Sequence, residues 1–275
     1  LAELMVGSDL PTPDTTASTV TEVVELSVEG LTSLHSDGRI AIEDITFDIH
    51  RGEIVGIAGV EGNGQAELVD TIMGVRDAAS GTVMLAGEDL SSLHTKKRRA
   101  RGIGIIPPDR HRQGLLLDSP LWENAMLGHQ AMPPFARGIW ISRAGARDLT
   151  QELVERFDVR TPSVDVNAVA LSGGNQQKLI VGKEMILDPT VLVAAHPTRG
   201  IDVGAQAAVW DELRQARVEG LAVLLISADL EELIGLSDTL LVLFDGRIVA
   251  RLDPAEVTPK LLGSYMTGVS DEESS

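Results

Sequence analysis

Apolar and polar residues alternate at Val24-Glu25-Leu26-Ser27-Val28 and again at Ile45-Thr46-Phe47-Asp48-Ile49. A two-residue period of this kind predicts half-buried strands. A third strand, Glu53 to Ala58, runs into a glycine-rich turn, and residues 65–74 read as a helix. Strand Thr82 to Leu85 follows the Ser80-Gly81 turn, and strand Ile103 to Ile106 stops at Pro107-Pro108. Residues from about 120 to about 160 read as mostly helical, because Leu149, Leu153 and Phe157 recur at i, i+4 and i+8 and mark one buried stripe. The rhythm of strand then helix returns with strand Thr190 to Ala194 before a helix from about Ala205. It repeats with strand Ala222 to Ile226 before a helix from about Asp229. Strand Thr239 to Phe244 meets Ile248-Val249 across Asp245-Gly246, a hairpin dipeptide. The alternation predicts an α/β fold with a mainly parallel sheet covered on both faces.

The ends of the chain carry a weak internal echo. Aligned without gaps, Leu1, Met5 and Gly7 of the first stretch fall on Leu262, Met266 and Gly268 of the last. Residues 1–9 are expected to be the tail of a preceding homologous domain, with chance similarity between two short helices as the alternative. The start, Leu1-Ala2-Glu3, has neither an initiator Met nor a signal-peptide pattern, and is expected to be a cut inside a longer gene product. Residues 10–22 are rich in Pro and Thr and read as linker. The expected division is therefore 1–22 as tail and linker, 23–268 as one domain with a helical subdomain at about 115–165, and 269–275 as a flexible tail.

Composition narrows the partners. The net charge of -18 over 275 residues argues against nucleic acid, whose binding rests on clustered Lys and Arg. With three Trp, four Phe and one Tyr, a stacking platform for bases is not expected. The one basic run, Lys96 to Arg101, reads as a solvated helix face, with a nucleic-acid patch as the weaker alternative. The absence of cysteine removes disulfides, thiolate metal sites and thiol nucleophiles, and fits a cytosolic protein. No apolar run reaches the ~20 residues of a membrane helix.

Two segments carry chemistry. The turn after the third strand reads Gly59-Val60-Glu61-Gly62-Asn63-Gly64-Gln65-Ala66. A phosphate-binding P-loop has Lys where Gln65 stands and Ser or Thr where Ala66 stands. The glycines and the helix start remain, so backbone N–H groups can still attract an anion. The charged donor is gone, however, and charge-assisted bonds are about twice as strong as neutral ones. The bland alternative is a turn that only packs strand against helix. The second segment is Leu171-Ser172-Gly173-Gly174-Asn175-Gln176-Gln177-Lys178. Ser172 can cap the following helix, and the two glycines allow close approach of backbone N–H groups to an oxyanion.

This octapeptide, after a P-loop-like turn and before an apolar strand, resembles the signature of ABC-type ATPases. The resemblance covers residues 23–268 and rests also on Gly59–Leu68 (GVEGNGQAEL), Asp109–Gly114 (DRHRQG) and Pro197–Ala205 (PTRGIDVGA). The chain looks like the second, C-terminal ATPase domain of the tandem importers for simple sugars and nucleosides, with a lean toward the nucleoside branch. The fold it implies is a P-loop NTPase (RecA-like) core with an antiparallel β subdomain and an inserted helical subdomain. It implies nucleotide contacts from Gly59, Gly62, Asn63, Gly64, Gln65, Ala66 and Glu67, and a signature role for Leu171, Ser172, Gly173, Gly174, Asn175 and Gln176.

Mapped onto the family, the catalytic set is incomplete. The strand from Val191 should end in the Asp that supports Mg²⁺ and the Glu that polarises water, and Ala195 and His196 stand there. Asp202 matches the Asp of the loop that follows, Ala228 replaces the switch His, Pro108 replaces the usual Gln or Glu, and Leu34 or His35 lies near the place of the adenine-stacking aromatic. His196, with an ordinary pKa of about 6.5, is a tolerated substitution rather than a base, since Lys, Ser/Thr and Asp are missing with it. ABC domains pair head to tail, so the resemblance implies that this signature serves, in trans, the ATP and Mg²⁺ of a first ATPase domain. Its own site binds ATP weakly at most and does not hydrolyse it. The implied partners are that first domain in the same polypeptide, membrane permease subunits and, indirectly, a solute-binding protein, at the cytoplasmic face of the membrane. Trp122 and Met126 are either permease contacts or ordinary core of the helical subdomain. The rival functions are a soluble ABC-type ATPase and a structural or regulatory module that binds no nucleotide.

Overall fold

The computed structural model describes residues 18–137 and 140–266. Most of the expectations for residues 1–22, and those for 269–275, fall outside them. Along the chain the elements are β1 (Val24–Leu34), β2 (Ile40–His50), β3 (Ile54–Ala58), α1 (Gln65–Ile72), β4 (Ser80–Leu85) and β5 (Glu88–Asp89). There follow α2 (Thr95–Ala100), β6 (Ile103–Ile106), α3 (Leu121–Met126), β7 (Ala136–Arg137), β8 (Trp140–Ile141), α4 (Arg143–Arg156), α5 (Gly173–Met185), β9 (Val191–Ala195) and α6 (Val203–Val218). The chain closes with β10 (Ala222–Ser227), α7 (Leu230–Leu236), β11 (Thr239–Phe244), β12 (Arg247–Leu252) and α8 (Pro259–Met266). The chain divides into two units, residues 1–92 with 213–275, and residues 93–212.

In the first unit, β2, β1, β4 and β5 form an antiparallel sheet in that order. The alternation seen in the sequence is its cause. Leu26, Val28, Ile45 and Ile49 point to one face and are fully buried, while Asp48 and Thr46 point outward. The other sheet of this unit has β3 parallel to both β10 and β11, with β12 antiparallel to β11. β3 and β10 are buried at every position, as strands covered on both faces must be. The β11–β12 hairpin turns on Asp245 (φ 47°) and Gly246 (φ 75°), the double left-handed pair that the Asp-Gly dipeptide predicts. Residues of the expected linker are tied to this unit. Thr19 Oγ1 donates to the Gly52 carbonyl at 2.8 Å and accepts from Arg217 Nε at 2.8 Å.

In the second unit, β6 and β9 pair in parallel. The predicted helical stretch contains α3 and α4, but a two-residue hairpin, β7–β8, interrupts it. Trp122 and Met126 are 8% and 6% exposed and pack with Phe135 and Ala146, and the Arg147 guanidinium lies 5.3 Å from the centre of the Trp122 ring. They are core, and the alternative of a permease contact at these two positions falls. The basic run is also corrected. Lys96, Lys97 and Arg101 are exposed, but Arg98 and Arg99 are 3% and 8% exposed. Arg98 Nε donates to the Leu93 carbonyl at 2.6 Å, and Arg99 Nη2 makes bonds of 3.0 and 2.8 Å to the two oxygens of Glu184.

Glu184 lies near the end of α5 and is the centre of a buried charge cluster. Its Oε2 also accepts from the Ile105 amide at 3.0 Å, and His129 Nε2 is 3.7 Å away. His129 Nε2 also lies 2.8 Å from Arg99 Nη2. Neighbouring Lys183 donates to the Gly114 carbonyl at 2.9 Å. Burial alone would raise the Glu184 pKa, but His129, Arg99 and Lys183 outweigh it and bring the carboxyl down to about 2. Burial pushes the Lys183 ammonium below its ordinary range.

Candidate functional site

The P-loop-like turn forms because β3, wholly buried, delivers the chain to Gly62 (φ 98°) and Gly64 (φ 104°), conformations that side chains rarely adopt. Gly64 then caps α1 without any side-chain bond. The turn is tied down from elsewhere in its unit. Asn63 accepts from the Gly246 amide through its carbonyl at 3.0 Å, and its side chain reaches the Met266 carbonyl at 3.4 Å and the Asp245 amide at 3.4 Å. Gln65, only 8% exposed, folds back over the loop. A Cβ at Gly59 would collide with its Nε2.

The charges around this turn oppose a phosphate. Ala66 is exposed and has no hydroxyl to offer a metal. Glu67 occupies the first turn of α1, so the helix N-terminus already has a carboxylate as its complementary anion. The His35 ring, near the place of the missing aromatic, lies 4.0 Å from that carboxylate. One turn further on, burial pushes the Asp70 pKa up. The loop itself carries Glu61 and no lysine. The residues present do not fit a Mg²⁺–triphosphate.

The other expected catalytic positions show the same loss. In the second unit, β9 continues through Ala195, which is 2% exposed, and turns at His196 (φ 50°), whose carbonyl accepts from the Arg199 amide at 3.1 Å. A buried methyl group, with no oxygen to offer a metal, therefore ends this strand. In the first unit, Ser227 accepts from the Asp229 amide at 3.0 Å, and Ala228 at the switch position is exposed.

The signature segment, in the second unit, is fully formed. Ser172 is the N-cap of α5, and its hydroxyl accepts from the Asn175 amide at 3.4 Å and from Asn175 Nδ2 at 3.0 Å. Leu171 is buried and anchors the turn, while Ser172 is exposed and Gly173 half-exposed. Gly174 is required by crowding, because a Cβ there would lie 2.7 Å from that of Ala205 and 3.4 Å from Asp202 Oδ2. Asn175 Oδ1 accepts from the Arg160 amide at 2.8 Å, and Gln176 donates to the Ala168 carbonyl at 3.1 Å. Asp202 Oδ1 accepts from the Ala205 amide at 3.0 Å and so caps the start of α6.

Sequence reasoning missed two side chains here. His111 Nε2 lies 3.0 Å from Gln176 Oε1. The Arg110 guanidinium donates to the Arg199 carbonyl at 2.8 Å and to the Gly200 carbonyl at 3.1 Å, and it would be 3.2 Å from a Cβ at Gly173. Both come from the DRHRQG stretch, whose letters carry the family resemblance but do not show that it packs beside the signature.

The profile of the ABC transporter family matches residues 42–199, more than half of the chain. The chain belongs to the ABC transporter family. Among its relatives, the guanosine import ATP-binding protein NupO of Bacillus subtilis is 42% identical over 275 residues, covering 99% of this chain and 54% of that protein. The glucose import ATP-binding protein TsgD13 of Haloferax volcanii is 38% identical, over 98% and 50% of the two chains. The ribose import ATP-binding protein RbsA 1 of Streptomyces avermitilis is 37% identical, over 94% and 48%. The chain thus spans about half the length of the curated relatives it matches. Solved ABC cassettes share the fold. The ADP conformation of MJ1267, an ATP-binding cassette of an ABC transporter, aligns with a TM-score of 0.71 at 18% identity, over 89% of this chain and 95% of that one. A nucleotide-free cassette aligns at 0.73 and 19%, over 88% and 98%. The α/β fold of the ABC ATPases is therefore the fold of this chain. Among the described residues no helix is long and apolar enough to cross a membrane.

Proposed function

We propose that this chain is the second nucleotide-binding domain of an importer ATPase for nucleosides or simple sugars, and that it supplies its signature in trans. One contrast carries the reading. The segment Leu171–Gln176 is capped and exposed where a ligand would meet it, while the turn Gly59–Glu67 has exchanged its cation and hydroxyl for Gln65, Ala66 and Glu67. A first ATPase domain in the same polypeptide provides the P-loop, metal ligands and base, and ATP with Mg²⁺ supplies the phosphoryl chemistry there. Ser172 and the amides of Gly173 and Gly174 close over that nucleotide and orient it, because a helix N-terminus with small residues lets the backbone approach an oxyanion. The domain's own turn holds nucleotide weakly at most, and Asp202, the Asp of the loop after β9, holds the start of α6. Membrane permease subunits at the cytoplasmic face are the mechanical partners, a solute-binding protein acts through them, and the similarity to guanosine, nucleoside and ribose import ATP-binding proteins supports the solute class.

The test is ATP turnover by the purified chain alone. The expected rate is no higher than that of a preparation carrying an added Gln65→Ala change. Hydrolysis at about the 1–10³ s⁻¹ common to enzymes would overturn the reading.

A further inference from the structure

We propose that Arg110 is a positioning residue that fixes the signature turn and the Asp202 loop as one rigid block. The proposal rests on the reading that Ser172–Gln176 faces a nucleotide held by another domain. Three stretches far apart in the chain converge on this side chain. Its own turn is stiffened by Asp109, whose Oδ1 accepts from the amides of His111 and Arg112, both at 3.1 Å. Its two Nη groups take the successive carbonyls of Arg199 and Gly200, at 2.8 and 3.1 Å, where the chain adopts a left-handed φ of 70° at Gly200. Its Nη2 lies against Gly173, whose missing Cβ leaves the room.

Two features separate this from an ordinary surface arginine. Among the described residues the Arg110 Nη groups bond main-chain carbonyls, and its Nε is buried without a hydrogen bond. A cation also lies beside the N-terminus of a 13-residue helix, where the helix favours anions. The planar fork reaches two adjacent carbonyls at once, which a lysine ammonium cannot do with the same geometry. Arg110 thereby sets the distance between Gly174 and Asp202, while His111 bonds the same turn to Gln176. The phosphate contact itself is left to the backbone and Ser172.

The experiment uses the full-length polypeptide assembled with its permease and measures steady-state ATP turnover. Arg110→Ala is expected to lower kcat about tenfold with KM for ATP within about twofold, because orientation rather than binding is lost. Arg110→Lys is expected to recover less than about a third of the loss, and free guanidinium at millimolar concentration to restore part of the turnover of the Ala variant. Ser172→Arg is measured in parallel. If it leaves turnover unchanged, the signature reading fails and the proposal falls with it. If it abolishes turnover while Arg110→Ala keeps the wild-type kcat, the positioning role alone is overturned. Should Arg110→Ala fail to assemble, Arg110→Lys decides, and a wild-type kcat in that variant overturns the role equally.

Discussion

Replacing Ser172 by Arg in the full-length protein is expected to cut ATP turnover by about 10²–10³-fold, the loss seen when an oriented donor is removed from a charge-stabilising site. Ser172 is exposed, so the larger side chain meets no clash within the domain. The substitution removes the cap on Asn175, which costs helix stability by only about 1 kcal/mol. The fold survives, and the damage is confined to the surface presented to the nucleotide. Ser172→Ala separates the two effects. It loses the same cap without adding bulk, so it is expected to keep the larger share of turnover. Steady-state hydrolysis by the assembled transporter is the measurement. Wild-type turnover in Ser172→Arg would remove the signature from the mechanism.

The second large effect is on stability. Glu184→Gln is expected to destabilise the chain by about 3–5 kcal/mol, measured by denaturant unfolding at pH 7, because it leaves the buried guanidinium of Arg99 without its counter-charge. Arg99→Met combined with Glu184→Leu is expected to cost less than the single change, since no unpaired charge stays inside. The pH dependence follows from the same cluster. The folded carboxyl titrates at about 2 and the unfolded one at 4.5. A depressed carboxylate contributes stability that is complete above pH 4.5 and lost as pH falls toward about 2, worth about 3 kcal/mol in all. The gap between wild type and Glu184→Gln is therefore expected to narrow between pH 5 and about pH 3. A constant gap over that range would show that the ionised carboxylate is not what the cluster needs.

Much of the architecture was legible locally. Ile103–Ile106 and Thr239–Phe244 have the predicted bounds, and Asp245-Gly246 is the predicted turn, because strand alternation and left-handed φ are properties of neighbouring residues. The P-loop-like turn and the signature were legible as glycine patterns joined to elements. What misled was charge and size taken without partners. The run Lys96 to Arg101 looks like a solvated face, yet the acceptor for Arg99 is Glu184, 85 residues away, and no local pattern announces it. Trp122 reads in the sequence as either contact or core, and the Phe135 and Ala146 that pack with it flank a hairpin that the helical period does not predict. Arg110 was visible only as one letter of DRHRQG, because its acceptors are main-chain carbonyls 89 and 90 residues on, and every residue type has a carbonyl.

The sequence by itself determined that this chain has the α/β fold of the ABC ATPases, and it placed Gln65 and Ala66 after a glycine turn and Ser172 before two glycines, since those are matters of residue type and short-range spacing. Only the tertiary structure decided which charges are buried and which glycine is forced by a neighbour. Each of those depends on atoms brought together from distant parts of the chain, where burial removes water and leaves geometry to choose the partner.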